Sequence, residues 1–346
     1  MPKKIRVEPP LVGERKPEES DFEKSLRPRT FEDFVGQRRI VENLRVFVKA
    51  AIERKESLDH TLLSGPPGLG KTTLAFLLAT EAGAESISTS GPALENKGDL
   101  VGILTRLQKG QFLFIDEIHR LRPALAESLE RAMEDRAVDV VLDSGPAART
   151  LRIHLEPFTL VGATTREGLL PGPFRSRFSI REKVEYYPAN DLVRILERSA
   201  RILEVDAEPD AIEHIARRAR GTPRVANRLL RRIRDFAQVE GSRRITAPIA
   251  ERGLERLGID ARGLEPMDQR ILEVLVRHAG SPVGLKTVAL AVGEEEDAIE
   301  EVYEPFLIQE GLLRKTPRGR EPTPEAWKAL GKPFPAGAEP LFGRRP

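Results

Sequence analysis

The segment GPPGLGKTT, residues 65–73, is the feature that most restricts the fold of this chain. It lies between the short apolar run TLLS, residues 61–64, and a helical pattern over residues 72–82. A glycine-rich loop that joins a buried strand to a helix gathers backbone N–H groups and the positive end of the helix, an arrangement that suits a phosphate group. The segment fits the pattern G-x-x-x-x-G-K-[ST] in full, and it has the strand before it and the helix after it that this pattern requires. The alternative is a glycine turn that matches the pattern by chance.

Two further apolar runs, FLFI at residues 112–115 and FTLVGA at residues 158–163, follow after helical patterns. Unbroken apolar runs of this length are typical of parallel strands buried on both faces. The pattern predicts an α/β fold over residues 22–187, a P-loop domain whose parallel sheet is flanked by helices. Residues 138–155 alternate on either side of a Ser-Gly-Pro turn, which predicts a β-hairpin that protrudes from this domain.

The rest of the chain predicts two smaller domains. Residues 188–258 are helical in pattern, with a break at GTPR (residues 221–224), and predict a small helical lid. Residues 259–346 contain three short helical patterns, then two strands around an Arg-Gly turn, which predicts a winged helix followed by a Pro-rich tail. Residues 1–21 are rich in Pro, Glu and Lys and predict a flexible arm.

Composition excludes several classes of protein. The 346 residues include no cysteine, which excludes disulfides and thiolate metal sites. The 5 histidines do not have the spacing of metal ligands such as HExxH. No apolar run approaches the ~20 residues that a membrane-spanning helix needs, so we expect a cytoplasmic protein without membrane contact. The net charge of +2 gives little overall attraction to nucleic acid, so a nucleic-acid partner would have to bind a local basic surface.

Polar residues that follow the strands add chemistry to the loop. Lys71 is predicted to reach the β- and γ-phosphates of ATP, and Thr72 to hold Mg²⁺. In FLFIDE, Asp116 can position Mg²⁺ through water and Glu117 can polarise the attacking water, while the Thr165 hydroxyl can contact that water or the γ-phosphate. The alternative is that Asp116, Glu117 and Thr165 are ordinary polar residues at strand ends, without a catalytic role. The loop residues predicted to contact the nucleotide are Gly65, Gly68, Gly70, Lys71, Thr72 and Thr73.

These motifs carry a family resemblance. GPPGLGKTT, LFIDEIHRL, TLVGATTR, FRSRF and GTPR, in this order, resemble the AAA+ ATPases. Longer matches resemble one family among them, the RuvB family of Holliday-junction branch-migration motors, over about residues 26–331. Those matches are LRPRTFEDFVGQ, TSGPALENKGDL, MEDRAVDVV, SGPAART, RGTPRVANRLLRRIRDFAQV, PVGL, EPFLIQEGLL and RKTPRGR.

The resemblance implies a homo-hexameric ring with ATP held between neighbouring subunits. Arg177 matches the arginine finger that one subunit inserts into the next subunit's site, and Arg175 is a second candidate. Arg224 matches the sensor arginine of the lid. An ordinary surface salt bridge is the alternative for Arg175 and Arg177. Other residues that the resemblance places around the nucleotide are Leu26, Arg27, Tyr187 and Pro223.

The resemblance also implies the partners. A translocase of this family moves double-stranded DNA at Holliday junctions in recombination and repair, together with RuvA and the resolvase RuvC. It implies phosphate contacts for Lys315, Arg318 and Arg320, although a solvated charged turn is the alternative. The hairpin would dock RuvA through Val140 and Leu142, unless these side chains face the domain core.

Two positions depart from the family pattern, and two rival functions stay open. Arg136 stands where relatives usually carry an aromatic or other bulky residue, and Ser179 stands where glycine usually follows the finger segment. Both departures concern the subunit interface and not the reacting groups. A clamp loader or replication-initiation ATPase would also join these domains, but would need a collar or origin-specific binding. A nucleotide switch that does not hydrolyse ATP is disfavoured by Glu117 and Arg177.

Overall fold

The computed structural model of the chain describes residues 21–141, 150–278 and 281–334, and it divides after Tyr187 into two compact units. No helix in these ranges is long and apolar enough to cross a lipid bilayer. The helices of the first unit are α1 (Asp21–Leu26), α2 (Arg38–Arg54), α3 (Lys71–Glu81), α4 (Lys97–Leu104), α5 (Pro123–Asp135) and α6 (Gly172–Ser176). Its strands are β1 (Thr61–Ser64), β2 (Ser86–Ser90), β3 (Phe112–Asp116), β4 (Ala137–Val141), β5 (Thr150–His154), β6 (Thr159–Thr164) and β7 (Ile180–Lys183).

A five-stranded parallel sheet in the order β2-β3-β6-β1-β7 forms the centre of this unit. Every residue of β1 and β6 is buried, which confirms that these apolar runs are central strands. Helix α3 contacts β1, β3 and β6, and the buried face of α5 packs into the same core as Leu62, Leu113 and Leu160. The predicted α/β fold class is therefore confirmed.

The two edge strands, β2 and β7, were not predicted from the sequence. Strand β2 has the sequence SISTS, and all of its residues are only partly buried because it lies at the edge beside β3. Strand β7 has the sequence IREK and alternates between buried and exposed residues at the opposite edge, beside β1. Neither strand is covered enough to need an unbroken apolar run, and such a run was the signal used to identify strands.

Strands β4 and β5 form an antiparallel hairpin that follows α5 directly. Val138 is buried in the core and pairs with Ile153, whereas Leu151, nearer the turn, is 48% exposed. Arg152 also forms an ion pair with Asp135 at the end of α5, with 2.8 Å between the nitrogen and the oxygen. The base of the hairpin is thus fixed to α5 and the core.

The second unit carries short helices, two small pairings of strands and one isolated β-bridge. Its helices are α7 (Ala189–Ile202), α8 (Pro209–Arg217), α9 (Pro223–Val239), α10 (Ala247–Arg256), α11 (Pro266–Arg277), α12 (Leu285–Val292), α13 (Glu296–Ala298), α14 (Glu304–Gln309) and α15 (Pro324–Ala329), with a π-helical turn at Ile299–Tyr303. Its strands are β8 (Asp206–Ala207), β9 (Arg244–Ile245), β10 (Leu313–Thr316) and β11 (Gly319–Pro322). β8 pairs with β9 and β10 pairs with β11, while Val283 forms a bridge to Arg320. The helical lid and the winged helix of the predicted fold class are confirmed.

A buried ionic contact joins the lid helices to the first winged-helix helix. Arg220 is 9% exposed, pairs with the buried Asp268 on α11, and lies over the Phe306 ring at 4.1 Å from its centroid. Arg218 pairs through both terminal nitrogens with Glu251 on α10. The residues immediately before GTPR are therefore held by contacts with both parts of this unit.

His60, immediately before β1, gives the first unit a dependence of stability on pH. Its Nδ1 accepts a hydrogen bond from the backbone N–H of Leu160 at 2.9 Å, and its ring packs against Phe158. Burial lowers the pKa of His60 to about 4, although a hydrogen bond to the Met133 backbone acts to raise this pKa. The imidazole is therefore neutral in the folded protein at neutral pH.

We expect the free energy of unfolding to fall by about 3 kcal/mol between pH 7 and pH 4 through His60 alone. The folded pKa lies below the unfolded value near 6.5, so this stability is complete above pH 6.5 and is lost as the pH falls through 4. Urea unfolding at several pH values measures the effect. His60→Asn keeps an acceptor for Leu160 without titrating, so an equally steep pH dependence in that variant would contradict the assignment.

Candidate nucleotide site

Three neighbouring strands bring the predicted residues to one edge of the sheet. Ser64 at the end of β1 lies in register with Thr164 at the end of β6, and Ile115 of β3 lies in register with Gly162. Because β6 lies between β1 and β3, its carboxyl end separates the glycine-rich loop from Asp116. Crevices at the carboxyl ends of parallel strands are where α/β proteins bind ligands.

The loop conformation depends on glycine. Gly65, Gly68 and Gly70 have φ angles of +135°, +76° and +98°, in a region that side chains disfavour. A Cβ at Gly65 would lie 2.3 Å from the Val184 carbonyl oxygen, so no larger residue fits there. The loop therefore approaches the backbone of Val184, the residue after β7, closely, and the Gly65 N–H donates to the Thr164 carbonyl oxygen at 3.2 Å.

The donors present in the loop fit a bound phosphate. Lys71 is buried, and its ammonium donates to the carbonyl oxygens of Gly65 and Pro66 at 2.6 and 2.7 Å. These contacts keep the cation against the loop before any anion arrives. Thr72 and Thr73 follow in the first turn of α3 and are half-buried. The predicted phosphate-binding residues are thus contiguous at the start of one helix.

Residues distant in sequence support the loop. Tyr187 is buried, and its hydroxyl donates to the Leu69 carbonyl oxygen at 3.1 Å. Leu26 is buried at the end of α1, and the next residue, Arg27, lies over the Phe76 ring of α3 at 5.3 Å from its centroid. Tyr187 therefore contacts the loop and Arg27 contacts the helix that follows it, while nucleotide binding by Leu26, Arg27 and Tyr187 stays a prediction.

The two carboxylates at the end of β3 have different surroundings. Asp116 ends the strand, and its Oδ1 accepts a hydrogen bond from the Glu117 backbone N–H at 2.9 Å. Glu117 has a φ of +50°, an uncommon conformation for this residue type, and pairs with Arg120 at 3.2 Å. Such backbone conformations concentrate at functional sites, where surrounding structure holds them. Hydroxyl and carboxylate oxygens, from Thr72 and Asp116, are also the donors that Mg²⁺ prefers.

The two threonines at the end of β6 differ in their contacts. The Thr164 hydroxyl accepts a hydrogen bond from the Arg166 backbone N–H at 3.0 Å and lies 3.0 Å from Nδ1 of His119. The Thr165 hydroxyl is buried and has no hydrogen-bond partner among the described residues. A buried hydroxyl without a partner is costly, so its position fits a bound group that completes its hydrogen bonding. His119 was not predicted, although the motif DEIHR contains it.

The finger candidate lies on a segment anchored in the core. Phe174 and Phe178 are buried, with their rings 5.4 Å apart edge to face, and they flank Arg177. Arg177 is 35% exposed and pairs with Glu130 and Glu134 of α5. Arg175 is half-buried. These ion pairs match the salt-bridge alternative for Arg177, and they are compatible with a finger that acts on another subunit.

Pro223 and Arg224 belong to the second unit, where they begin helix α9. Proline suits the first turn of a helix because the N–H that it lacks has no partner there. Arg224 is exposed. Its predicted role as a sensor stays a prediction.

The winged-helix cations are in three different settings. Arg318, in the turn between β10 and β11, is exposed, and Lys315 is 47% exposed and pairs with Glu300. Arg320 is buried and pairs through Nε and Nη2 with Glu304, which is itself buried. The Arg320 guanidinium is thus paired inside the domain, and its predicted contact with DNA phosphates stays a prediction.

The remaining predicted positions are two hairpin residues, Val140 and Leu142, and the two departures from the family pattern, Arg136 and Ser179. Val140 is half-buried and pairs with Leu151, while Leu142 lies outside the described residues. Arg136 directly follows α5, with a φ of +50° and an exposed side chain, and its carbonyl oxygen accepts a hydrogen bond from the Leu155 N–H at 2.8 Å. Ser179 is exposed between the buried Phe178 and strand β7. Neither departure from the family pattern disturbs the sheet edge.

Three family models match consecutive segments of the chain. The Holliday junction DNA helicase RuvB P-loop domain matches residues 26–184, the RuvB AAA lid domain matches residues 187–260, and the RuvB C-terminal winged helix domain matches residues 261–331. The matched segments follow the order of the folded parts described above.

Individual relatives agree with the family models. The Holliday junction branch migration complex subunit RuvB of Myxococcus xanthus is 56% identical over 326 residues, covering 93% of this chain and 95% of the relative. The corresponding subunit of Salinibacter ruber is 54% identical over 333 residues, covering 96% and 97%. The solved structure of the Thermotoga maritima RuvB Holliday junction branch migration motor is 45% identical, with a TM-score of 0.82, and covers 90% of this chain and 100% of that one. This chain belongs to the RuvB family of Holliday junction branch-migration ATPases.

Proposed function

We propose that the chain is the ATP-driven motor that moves double-stranded DNA through Holliday junctions, acting as a homo-hexameric ring. The observation that carries the proposal is the shared sheet edge, where the glycine-rich loop, Thr165, Asp116 and Glu117 meet. A loop alone would support nucleotide binding, but the carboxylates and the hydroxyl add groups that hydrolysis needs.

The chain's own residues divide the work of hydrolysis. Lys71 and the loop N–H groups neutralise and orient the phosphates, and Thr72 with Asp116 would hold Mg²⁺. Mg²⁺ supplies charge stabilisation on the phosphate oxygens when it is bound. Glu117 orients and polarises the attacking water, and the Thr165 hydroxyl fixes that water or the γ-phosphate. Each of these residues acts at the same edge of the sheet.

Two arginines complete the proposed mechanism from outside this edge. Arg177 reaches the site of the next subunit, where a guanidinium stabilises the charge that develops on the transferred phosphoryl group. Arg224 contacts the γ-phosphate from the lid and reports its loss to the second unit. Pro223 lies beside it at the start of α9, and its contact with the nucleotide is part of the same proposal.

The proposed DNA contact is electrostatic and independent of sequence. Arg318 and Lys315 lie at and beside the winged-helix turn, where they can contact backbone phosphates. RuvA docks on the hairpin through Val140 and Leu142, and RuvC joins the assembly at the junction. Exposed apolar side chains at a hairpin, such as Leu151, support an interface with a protein.

We expect Arg318→Ala to reduce the slope of log K against log salt for duplex DNA by about 0.9, because one phosphate contact is lost. Fluorescence anisotropy over a salt series measures the slope. Arg54→Ala removes the same charge from an exposed position of α2 and is the matched control. An Arg318→Ala slope equal to that of the control would remove Arg318 from the DNA contacts.

The proposed function is tested by branch migration of a synthetic four-way junction with ATP and Mg²⁺, with and without RuvA. We expect movement that requires ATP, increases with RuvA and disappears in Glu117→Gln. Hydrolysis without movement of the junction in either condition would contradict the motor and favour the clamp-loader alternative. Binding of ATP without any turnover would favour the nucleotide switch.

A further inference from the structure

Two glutamates of helix α5 hold one edge of the Arg177 guanidinium. Nη2 lies 2.7 Å from Oε2 of Glu134 and 3.3 Å from Oε1 of Glu130, and Nε lies 3.4 Å from the same Glu130 oxygen. Nη1 forms no hydrogen bond or ion pair with any residue that the structure describes. A guanidinium has five N–H donors, so these contacts leave donors available for a second anion.

The glutamates are themselves held in place by the fold. They are four positions apart on α5, so they lie on one face of the helix. Their like charges would repel without Arg177 between them. Glu130 is 19% exposed, and α5 packs through Leu129 and Met133 into the core that also contains the two phenylalanines flanking Arg177. Both ends of the contact are therefore attached to the same rigid core.

We propose that Glu130 and Glu134 are positioning residues for the arginine finger, and this proposal rests on the proposed action of Arg177 on the neighbouring subunit. A long arginine side chain has many rotamers, and a finger that is ordered only at the moment of reaction would lose that entropy there. The two carboxylates restrict the side chain beforehand through Nε and Nη2, which leaves the Nη1 edge for the neighbour's phosphoryl group. Preorganised charge is the most effective kind in a catalytic site.

A purely inhibitory contact is the opposite hypothesis and makes an opposite prediction. If the glutamates kept Arg177 away from the neighbouring site, their removal would raise the rate of hydrolysis. The anchoring of the segment by Phe174 and Phe178 argues against this, because it prevents the backbone at Arg177 from swinging away from α5. Positioning therefore explains better why Nε and Nη2 of Arg177 contact the glutamates while Nη1 does not.

The test uses the full chain with duplex DNA and compares E130Q, E134Q and the double variant with E127Q. Glu127 lies on the same helix and pairs with Arg131 instead, so E127Q is the matched control. We expect the double variant to lower kcat for ATP about 10- to 100-fold, because a displacement of about 1 Å in a catalytic group has an effect of this size. KM should change less than twofold, and E127Q should match the unaltered protein. An unchanged or increased kcat in the double variant overturns the proposal.

Mixed assemblies separate this proposal from the function on which it rests. Lys71→Ala subunits carry an intact finger, so mixing them with the double variant should restore hydrolysis, whereas Arg177→Ala subunits should not. The reference is a mixture of Arg177→Ala with Lys71→Ala subunits. If this reference recovers hydrolysis, the positioning role is overturned when the double variant regains hydrolysis with both Lys71→Ala and Arg177→Ala subunits, or with neither. Failure of that reference mixture instead overturns the action of Arg177 between subunits.

Discussion

Replacing Arg177 with alanine is expected to lower the rate of ATP hydrolysis by about 10³- to 10⁵-fold, the effect that arginine fingers have on phosphoryl transfer. The physical reason is the loss of a fixed positive charge at the point where negative charge develops. ATP binding should stay within about twofold, because the finger is proposed to act on the neighbouring subunit and on the transition state. Steady-state hydrolysis and equilibrium binding of a labelled nucleotide measure the two quantities separately.

The fold should tolerate this change. Arg177 is 35% exposed and its partner Glu134 is 51% exposed, and ion pairs at such positions contribute about 0–1 kcal/mol to stability. A large fall in melting temperature would therefore show that lost hydrolysis reflects unfolding. The decisive control is the mixture with Lys71→Ala subunits, which lack a working loop but retain the finger. No recovery in co-assembled rings would contradict action between subunits.

Glu117→Gln is the second variant for which we expect a large effect. Loss of a positioned general base commonly lowers the rate about 10²- to 10⁴-fold, and we expect hydrolysis to fall within that range. Glutamine keeps the shape of the side chain but cannot accept a proton from water. Binding of ATP should be retained, because Lys71 and the loop glycines are unaltered.

A matched control for Glu117→Gln is available at the opposite end of the same sheet. Glu85 lies directly before β2, whereas Glu117 follows β3, and the two strands run parallel. Glu85 is exposed, and its carboxylate accepts a hydrogen bond from Gln111 at 3.1 Å. Glu85→Gln should hydrolyse ATP at the unaltered rate. A Glu117→Gln variant with comparable turnover would remove Glu117 from the mechanism and revive the possibility that it is an ordinary polar strand end.

The central fold was predictable because its signals are local. Strand β1 has the limits that its apolar run predicted, and helix α2 occupies residues Arg38–Arg54, with its buried residues at helical spacing. Burial on both faces requires an unbroken apolar strand, and burial on one face requires apolar residues three or four positions apart. Strands β2 and β7 escaped prediction because edge positions relax this requirement.

The candidate site divides in the same way. The glycine loop, Asp116 and Glu117 form contiguous motifs whose spacing already indicates their chemistry, so the P-loop and the family resemblance are recognisable without a structure. Packing of distant elements decides which side chains meet: Arg177 pairs with Glu130, 47 positions away, and Arg320 pairs with Glu304. It also buries the Thr165 hydroxyl, which has no hydrogen-bond partner among the residues that the structure describes. The physical reason is that ion pairing and burial depend on which distant surfaces come together when elements pack, and no local pattern of residues encodes that choice.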